Sequence, residues 1–140
     1  MPVRGIRGAT TVEEDSAEAI VAATDELLRA LIEANQIEPA AIAGAWFTTT
    51  KDLAAEFPAI AARKLGWTEV PLLCGHEMDV DPGNPRAIPM CVRVLILLNT
   101  NRAANAMRFI YLHRAGEIRA DLDRLREQSG HSMTSDRGLD

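Results

Sequence analysis

The sequence predicts an α+β fold: a single mixed β-sheet with helices packed on one of its faces. Two observations carry this prediction. Strand-like and helical segments alternate along a chain of 140 residues, which suits one domain with a modest core. The most apolar segment, residues 90–99, has the length and composition of a central strand. Because one layer of helices leaves the opposite sheet face bare, and oligomerisation would cover that face, we expect more than a monomer.

The N-terminal part of the chain predicts a strand followed by a long helix. Residues 2–11 form the strand, which ends in a β-branched stretch. The acidic residues 13–15 then place negative charge at the start of a helix, where the helix dipole favours it. This helix extends to about Asn35, and its apolar residues recur at helical spacing. The apolar stripe consists of Ile20, Leu27, Leu28 and Leu31.

The middle of the chain predicts two strands on either side of a second helix. Residues 44–50 form the second strand, and residues 70–73 form a short third strand. Between them, Pro58 stands near the first position of a helix, and Gly66 marks its C-terminal end.

The C-terminal part predicts a loop, two strands and a polar helix. In order, these are a loop rich in proline and glycine over residues 79–89, strands over residues 90–99 and 107–112, and a helix over residues 117–127. Residues 129–140 are small, polar and almost without apolar anchors, which predicts disorder. We therefore expect a folded domain over residues 1–122 and a mobile or disordered tail over residues 123–140.

Composition and charge argue against several classes of protein. The formal net charge of −5 is unlike that of a general nucleic-acid binder. No apolar run reaches a membrane span, because Arg93 splits the longest one, and the N-terminus lacks the apolar segment of a secretion signal. Cys74 and Cys91 form neither a CxxC pair nor a disulfide framework, so we expect thiols in a reducing cytoplasm. The histidines lack metal-ligand spacing with the cysteines, and a glycine-rich phosphate loop is missing, so neither a metal nor a cofactor is predicted.

Arg93 interrupts the apolar strand, and it is the strongest functional signal in the sequence. A guanidinium cannot shed its proton, and burying it without a partner would cost on the order of several kcal/mol or more. We therefore expect an anion opposite Arg93, either a bound molecule or an internal carboxylate such as Glu77. Arg4 and Arg7 lie in the first predicted strand and raise the same expectation of an anionic partner. Taken alone, Arg7 is more typical of a surface residue of a strand.

Several motifs, taken together, match one enzyme family. Residues 4–13 read Arg-Gly-Ile-Arg-Gly-Ala-Thr-Thr-Val-Glu, and further motifs follow in a fixed order. They are Phe57-Pro58-Ala59 with Arg63; Val70-Pro71; Cys74 followed by Glu77-Met78-Asp79-Val80; Cys91-Val92-Arg93-Val94-Leu95; and Tyr111-Leu112 with Arg119, Asp121 and Leu122. Over roughly residues 3–122 the chain resembles the monofunctional chorismate mutases of the Bacillus type, the AroH class.

The resemblance implies both a fold and a reaction. The fold is a chorismate-mutase-like (ferredoxin-like) homotrimer with a barrel-like centre, in which an active site lies in each cleft between neighbouring subunits. The reaction is the intramolecular Claisen rearrangement of chorismate to prephenate, on the branch toward phenylalanine and tyrosine. The implied partners are chorismate and further copies of the chain, with no metal or cofactor.

The resemblance also implies the catalytic groups. Arg93 would donate to the ether oxygen of the substrate, and Glu77 would accept a hydrogen bond from its ring hydroxyl. The thiol or backbone of Cys74 would lie beside Glu77, although a cysteine taken alone is more often a small buried apolar residue.

The implied substrate-binding residues are Arg7, Phe57, Ala59, Arg63, Leu73, Tyr111 and Arg119. Arg7 and Tyr111 would hold the side-chain carboxylate, and Arg119 would cap the site from a mobile C-terminal segment. Arg63 and Phe57 would come from the adjacent subunit. Taken alone, the two arginines Arg63 and Arg119 read as solvent-facing charges and Phe57 reads as core.

The chain departs from the family pattern in places. The loop over residues 81–89 is longer than is typical, which could alter the alignment of Glu77 with Arg93. Ile60 stands where a lysine can occur, Leu73 where a polar residue can occur, and Ala120 where a proline is common. Two rival functions are a trimeric module that binds a small carboxylate without catalysis and an imine deaminase of the Rid type. A binding module has no use for a donor at an ether oxygen, so the pairing of Glu77 with Arg93 discriminates between these alternatives.

Overall fold

A computed structural model of the chain describes residues 1–128, apart from the side chains of residues 119, 121, 122, 126 and 127. The predicted disorder of residues 129–140 lies outside these described residues. The last described helix crosses residue 122, where the sequence places the end of the domain. The mobility of the segment beyond that residue stays a prediction.

The fold is built on one five-stranded mixed sheet, as predicted. Its strands are β1 (Val3–Thr11), β2 (Ile42–Thr49), β3 (Leu72–His76), β4 (Cys91–Asn99) and β5 (Ile110–Tyr111). Their order across the sheet is β3-β2-β4-β1-β5. Strand β4 runs antiparallel to both β1 and β2, whereas the outer pairs β2–β3 and β1–β5 are parallel. The apolar segment that contains Arg93 is therefore the central strand.

The described helices are α1 (Ala17–Asn35), α2 (Ala59–Lys64) and α3 (Gly116–Gln128). Helix α1 begins later than the acidic stretch at residues 13–15 because Ser16 caps it, accepting a hydrogen bond from the Ala19 N–H at 3.1 Å. It ends at Gln36, which adopts a left-handed conformation with φ of 53° and donates its N–H to the Ile32 carbonyl.

Helices α1 and α2 cover one side of the sheet, which we call the helix face. The stripe of α1 that includes Leu27 and Leu31 is fully buried against Ile6 and Ile96. Gly8 permits this close approach, because a β-carbon at position 8 would lie 2.8 Å from Leu31 Cδ1. The long helix is thereby held directly against strand β1.

Among residues 1–128, the other side of the sheet, the open face, is covered only at one end. There the first turn of α3 packs Ile118 into a small cluster with Ala9, Cys91 and Ala115. Because side chains alternate along a strand, Ala9 and Cys91 point away from the helix face. The third helix thus lies toward the side of the sheet opposite to α1 and α2, a placement that the sequence pattern did not indicate.

The rest of the open face carries exposed apolar side chains. Leu73, Trp46, Leu95 and Arg7 form a row across β3, β2, β4 and β1 in the strand register. The apolar members of this row, together with Val3, are 39–61% exposed. An apolar patch of this kind is typical of an interaction surface, which agrees with the expectation of an oligomer.

Two strands differ from their predicted bounds by three residues at one end, whereas the other three agree within two residues. The third strand begins at Leu72 and continues through His76 instead of spanning residues 70–73. The fifth contains only Ile110 and Tyr111 instead of residues 107–112. The buried Asn35 side chain explains the second difference, because it binds both backbone groups of Arg108, at 2.8 Å and 2.9 Å. Those groups are then occupied before β5 starts.

Candidate active site

A cavity of about 280 Å³ lies on the open face, over the centre of the sheet. The strand register places four of its lining residues in one row across β2, β4, β1 and β5. In that order they are Thr48, Arg93, Ala9 and Tyr111. Arg7 lines the same cavity one row away and makes no hydrogen bond or ion pair with another residue of the described part. Three of the predicted site residues, Arg7, Arg93 and Tyr111, therefore share one cavity.

Arg93 has an internal carboxylate beside it. Its Nε atom lies 3.1 Å from Glu77 Oε2, and the two side chains are 34% and 24% exposed. The ion pair suggested by the sequence is therefore present. The buried Nε is nevertheless not aligned for a hydrogen bond with any described residue. Arg93 Nε therefore lies close to the negatively charged Glu77 oxygen without donating a hydrogen bond to it.

Glu77 is held in place by strand β2. Its backbone N–H donates to the Thr49 carbonyl at 2.8 Å, which extends the β2–β3 pairing by one residue. The Thr48 hydroxyl donates a hydrogen bond to Glu77 Oε2, the same oxygen that lies near Arg93. Nothing in the sequence marked Thr48, since only the pairing of β2 with β4 places it opposite Arg93.

The long loop between Glu77 and Arg93 does not separate these two residues. It is tied to the β2 end of the sheet by an ion pair of Lys51 with Asp79 at 3.1 Å and by a hydrogen bond from the Met90 N–H to Asp52 at 3.0 Å. The loop forms one wall of a second, larger cavity of about 570 Å³, and both Glu77 and Arg93 line it. With this loop length, Glu77 and Arg93 still lie next to each other, and an effect of the loop on their alignment stays a prediction.

The thiol of Cys91 lies close to the Arg93–Glu77 pair. Burial raises the pKa of Cys91 from 9.0 to about 11, although the Arg93 charge acts in the opposite direction. The thiol is therefore neutral near pH 7 and does not neutralise the guanidinium. Glu77 is the negative group that faces Arg93 within the described chain.

Cys91 should make the stability of the protein fall at alkaline pH. Its pKa is higher in the folded state than in the unfolded state. The contribution of the neutral thiol to the free energy of unfolding is therefore fully present below about pH 9 and is lost as the pH rises through about 11. We expect wild-type protein to lose roughly 2–3 kcal/mol more than Cys91→Ala over this range. Urea unfolding of both proteins at several pH values between 8 and 11 measures the difference. Parallel stability curves for the two proteins would contradict this account.

Other predicted residues form a second group at the β3 edge of the sheet. Phe57 and Cys74 line a cavity of about 380 Å³. Burial raises the pKa of the Cys74 thiol, while a hydrogen bond with the Ala59 backbone and the charge of Arg63 lower it by less. Phe57, which the sequence alone suggested as core, is 64% exposed.

The backbone of the sheet separates the two groups within one chain. Cys74 pairs in register with Phe47, which is buried on the helix face, so the Cys74 side chain points to that face. Leu73 precedes it and points to the open face. The Arg119 side chain lies outside the described residues, so its predicted role as a cap stays a prediction.

Among residues 1–128, no group of histidine, cysteine and acidic side chains is arranged to hold a metal ion. The same part of the chain contains no helix that is both long and apolar enough to cross a bilayer.

The fold and the cavity define a class of protein. An α+β sheet presents arginines from its inner strands on a bare face, with a carboxylate beside the central one. Such a site suits a small anionic molecule, because guanidinium groups bind carboxylates with two parallel hydrogen bonds.

Comparisons with known proteins agree on one family within this class. Residues 3–122 match the family model of chorismate mutase type I. The chorismate mutase AroH of Thermus thermophilus is 48% identical over 122 residues, which cover 86% of this chain and 97% of that protein. The chorismate mutase AroH of Bacillus subtilis is 42% identical over 123 residues, which cover 87% and 94%. The solved chorismate mutase from Clostridium thermocellum superimposes with a TM-score of 0.76 at 45% identity, over 80% of this chain and 96% of that one.

This chain belongs to the chorismate mutase type I family. It is an isomerase that converts chorismate to prephenate, on the route to the aromatic amino acids. The resemblance drawn from the sequence motifs is confirmed, and the enzymatic reading is favoured over the binding module and the imine deaminase.

Proposed function

We propose that this chorismate mutase works as a cytoplasmic homotrimer, with an active site in each cleft between neighbouring subunits. The observation that carries the proposal is Arg93, whose side chain lines the open-face cavity beside Glu77. The free thiols Cys74 and Cys91 suit a reducing cytoplasm.

The reaction places few demands on the protein. Chorismate carries two carboxylates, a ring hydroxyl and an enol ether, and its rearrangement transfers no proton to the enzyme and forms no covalent intermediate. The ether bond breaks ahead of carbon–carbon bond formation, so negative charge grows on the ether oxygen in the transition state. A fixed donor at that oxygen stabilises the transition state more than the ground state, and this difference accelerates the reaction.

Arg93 is the donor at the ether oxygen in this proposal. Its Nε is buried and is not engaged in a hydrogen bond with a described residue. The positive charge cannot be lost by deprotonation. Glu77 accepts the hydrogen bond of the ring hydroxyl, and its position next to Arg93 sets the distance between the two contacts.

Arg7 and Tyr111 bind the side-chain carboxylate and hold the substrate in its chair-like reactive conformer. Both line the cavity that contains Arg93. Confining a flexible ether in the reactive geometry lowers the entropic part of the barrier. Leu73, in the same exposed row as Trp46 and Leu95, contributes an apolar wall.

A neighbouring subunit completes the site with Phe57, Ala59, Arg63 and Cys74. The sheet backbone lies between this group and the arginines of the same chain, so one substrate molecule contacts both groups only if they come from different subunits. Trp46 and Leu95 of the exposed row lie on the surface that packs against a neighbouring subunit.

The direct test combines an activity assay with a mass measurement. Purified protein is mixed with chorismate without additives, the loss of its ultraviolet absorbance is followed, and prephenate is confirmed by acid conversion to phenylpyruvate. We expect saturable turnover by a species with three times the mass of the chain. Turnover by a stable monomer would contradict the shared cleft. Tight binding of a dicarboxylate transition-state mimic without turnover would favour the binding module.

A further inference from the structure

The carboxylate of Glu77 has its two oxygens in different situations. Oε2 accepts the hydrogen bond of the Thr48 hydroxyl and also lies 3.1 Å from Arg93 Nε. Within the described part of the chain, Oε1 accepts no hydrogen bond. One oxygen is therefore occupied by the protein, and the other is left for a ligand.

Thr48 is well placed to control this asymmetry. It lies directly opposite Arg93 in the pairing of β2 with β4, on the open face. Its neighbour Thr49 binds the Glu77 backbone N–H at 2.8 Å, so two consecutive residues of β2 hold the backbone and the carboxylate of Glu77. A threonine side chain has few rotamers, so its hydroxyl is a stiff anchor.

The anchor has a consequence for Arg93. A carboxylate free to turn beside a guanidinium would form aligned, charge-assisted hydrogen bonds with it. Such a closed pair would engage the donors that the substrate needs. The contact to Arg93 is close in distance, yet the buried Nε remains out of line with the oxygen.

We propose that Thr48 is a positioning residue: it holds Glu77 Oε2 so that the carboxylate cannot close onto Arg93. Oε1 then faces the ring hydroxyl of the substrate, and the guanidinium keeps its donors for the ether oxygen. The inference rests on the proposed roles of Glu77 and Arg93. It adds Thr48 as the residue that prevents the Glu77 carboxylate from occupying the hydrogen-bond donors of the adjacent Arg93.

The test compares variants that lose either the hydroxyl or the methyl group of Thr48. Thr48→Val removes the hydroxyl and keeps the β-branched shape, whereas Thr48→Ser keeps the hydroxyl and removes a methyl group. We expect Thr48→Val to lower kcat/KM by about 10-fold or more, the effect of losing a hydrogen bond to a charged group. We expect Thr48→Ser to restore most of the wild-type value. Thr48→Ala provides a second variant without the hydroxyl if the valine protein does not fold, and thermal unfolding checks each protein.

A double-mutant cycle with Glu77→Ala separates positioning from a general structural effect. Because Thr48 acts through the Glu77 carboxylate, Thr48→Val should have little further effect in the Glu77→Ala background, where that acceptor is missing. Near-normal kcat/KM for Thr48→Val would overturn the inference, and so would an equal loss in both backgrounds.

The same experiment separates the role of Thr48 from that of Glu77. A defective Glu77→Ala protein together with a normal Thr48→Val protein overturns the role of Thr48 alone. A normal Glu77→Ala protein overturns the role of Glu77 as well, and with it the proposed hydrogen bond to the ring hydroxyl.

Discussion

Replacing Arg93 with alanine is expected to lower kcat by at least about 10²-fold, because a preorganised donor to a developing negative charge is lost. The subunit should remain folded. Glu77 keeps its bonds to the Thr48 hydroxyl and the Thr49 carbonyl, and it is partly open to water, so its charge is not left stranded in the core. Steady-state kinetics of the purified variant with chorismate measure the loss.

Two further variants sharpen this experiment. Arg93→Lys keeps a positive charge but loses the planar donor group, so it should recover only part of the lost rate. Arg29→Ala is the matched control, because Arg29 is an exposed arginine on α1 whose ion-pair partner among the described residues is Asp25, one helical turn away. Wild-type turnover by Arg93→Ala would show that another group meets the charge on the ether oxygen.

Mixing two inactive variants is expected to restore activity. Arg7→Ala removes a residue of the open-face cavity, and Arg63→Ala removes one from the group at the β3 edge. If each site takes Arg7 from one subunit and Arg63 from the next, a hybrid trimer contains intact sites. After random exchange of equal amounts, about one quarter of the sites should be intact, the product of two independent halves in a cyclic assembly.

The hybrid experiment depends on proof of exchange. Differently tagged subunits can be unfolded together, refolded and purified through both tags, which isolates the mixed trimers. Each variant refolded alone is the control and should stay inactive. Mixed trimers without recovered activity would place Arg7 and Arg63 in the same subunit's site, contrary to the proposed cleft.

Much of the fold follows from local sequence patterns. The β-branched and apolar segments predict strands, the helical spacing of apolar residues predicts the long helix α1, and the apolar segment around Arg93 is indeed the central strand. The bounds were less predictable, because they depend on contacts distant in sequence. The Asn35 side chain binds the backbone N–H and carbonyl of Arg108, so these groups cannot pair with a strand and β5 is short. No local pattern around residue 108 indicates this contact.

The site residues also differ in whether a local sequence pattern could predict them. Arg93 was evident from the sequence, because a charge inside an apolar strand demands a partner, and Glu77 is that partner within the chain. Thr48 was not evident, because an ordinary threonine in a strand acquires its role only through the register with β4. The separation of Cys74 from Arg93 by the sheet also depends on strand pairing, and that pairing gives the strongest support for a site shared between subunits.

The two hydrogen bonds between the Asn35 side chain and the Arg108 backbone help to fix the position of strand β5. Strand β5 pairs with β1 through only Ile110 and Tyr111, so little in the sheet itself fixes its lateral position. The end of helix α1 supplies the missing constraint, through the two bonds of the Asn35 side chain and a third from Arg102 to the Asn35 carbonyl at 2.6 Å. The position of Tyr111 beside the open-face cavity thus depends on hydrogen bonds made at the end of a helix that lies on the opposite side of the sheet.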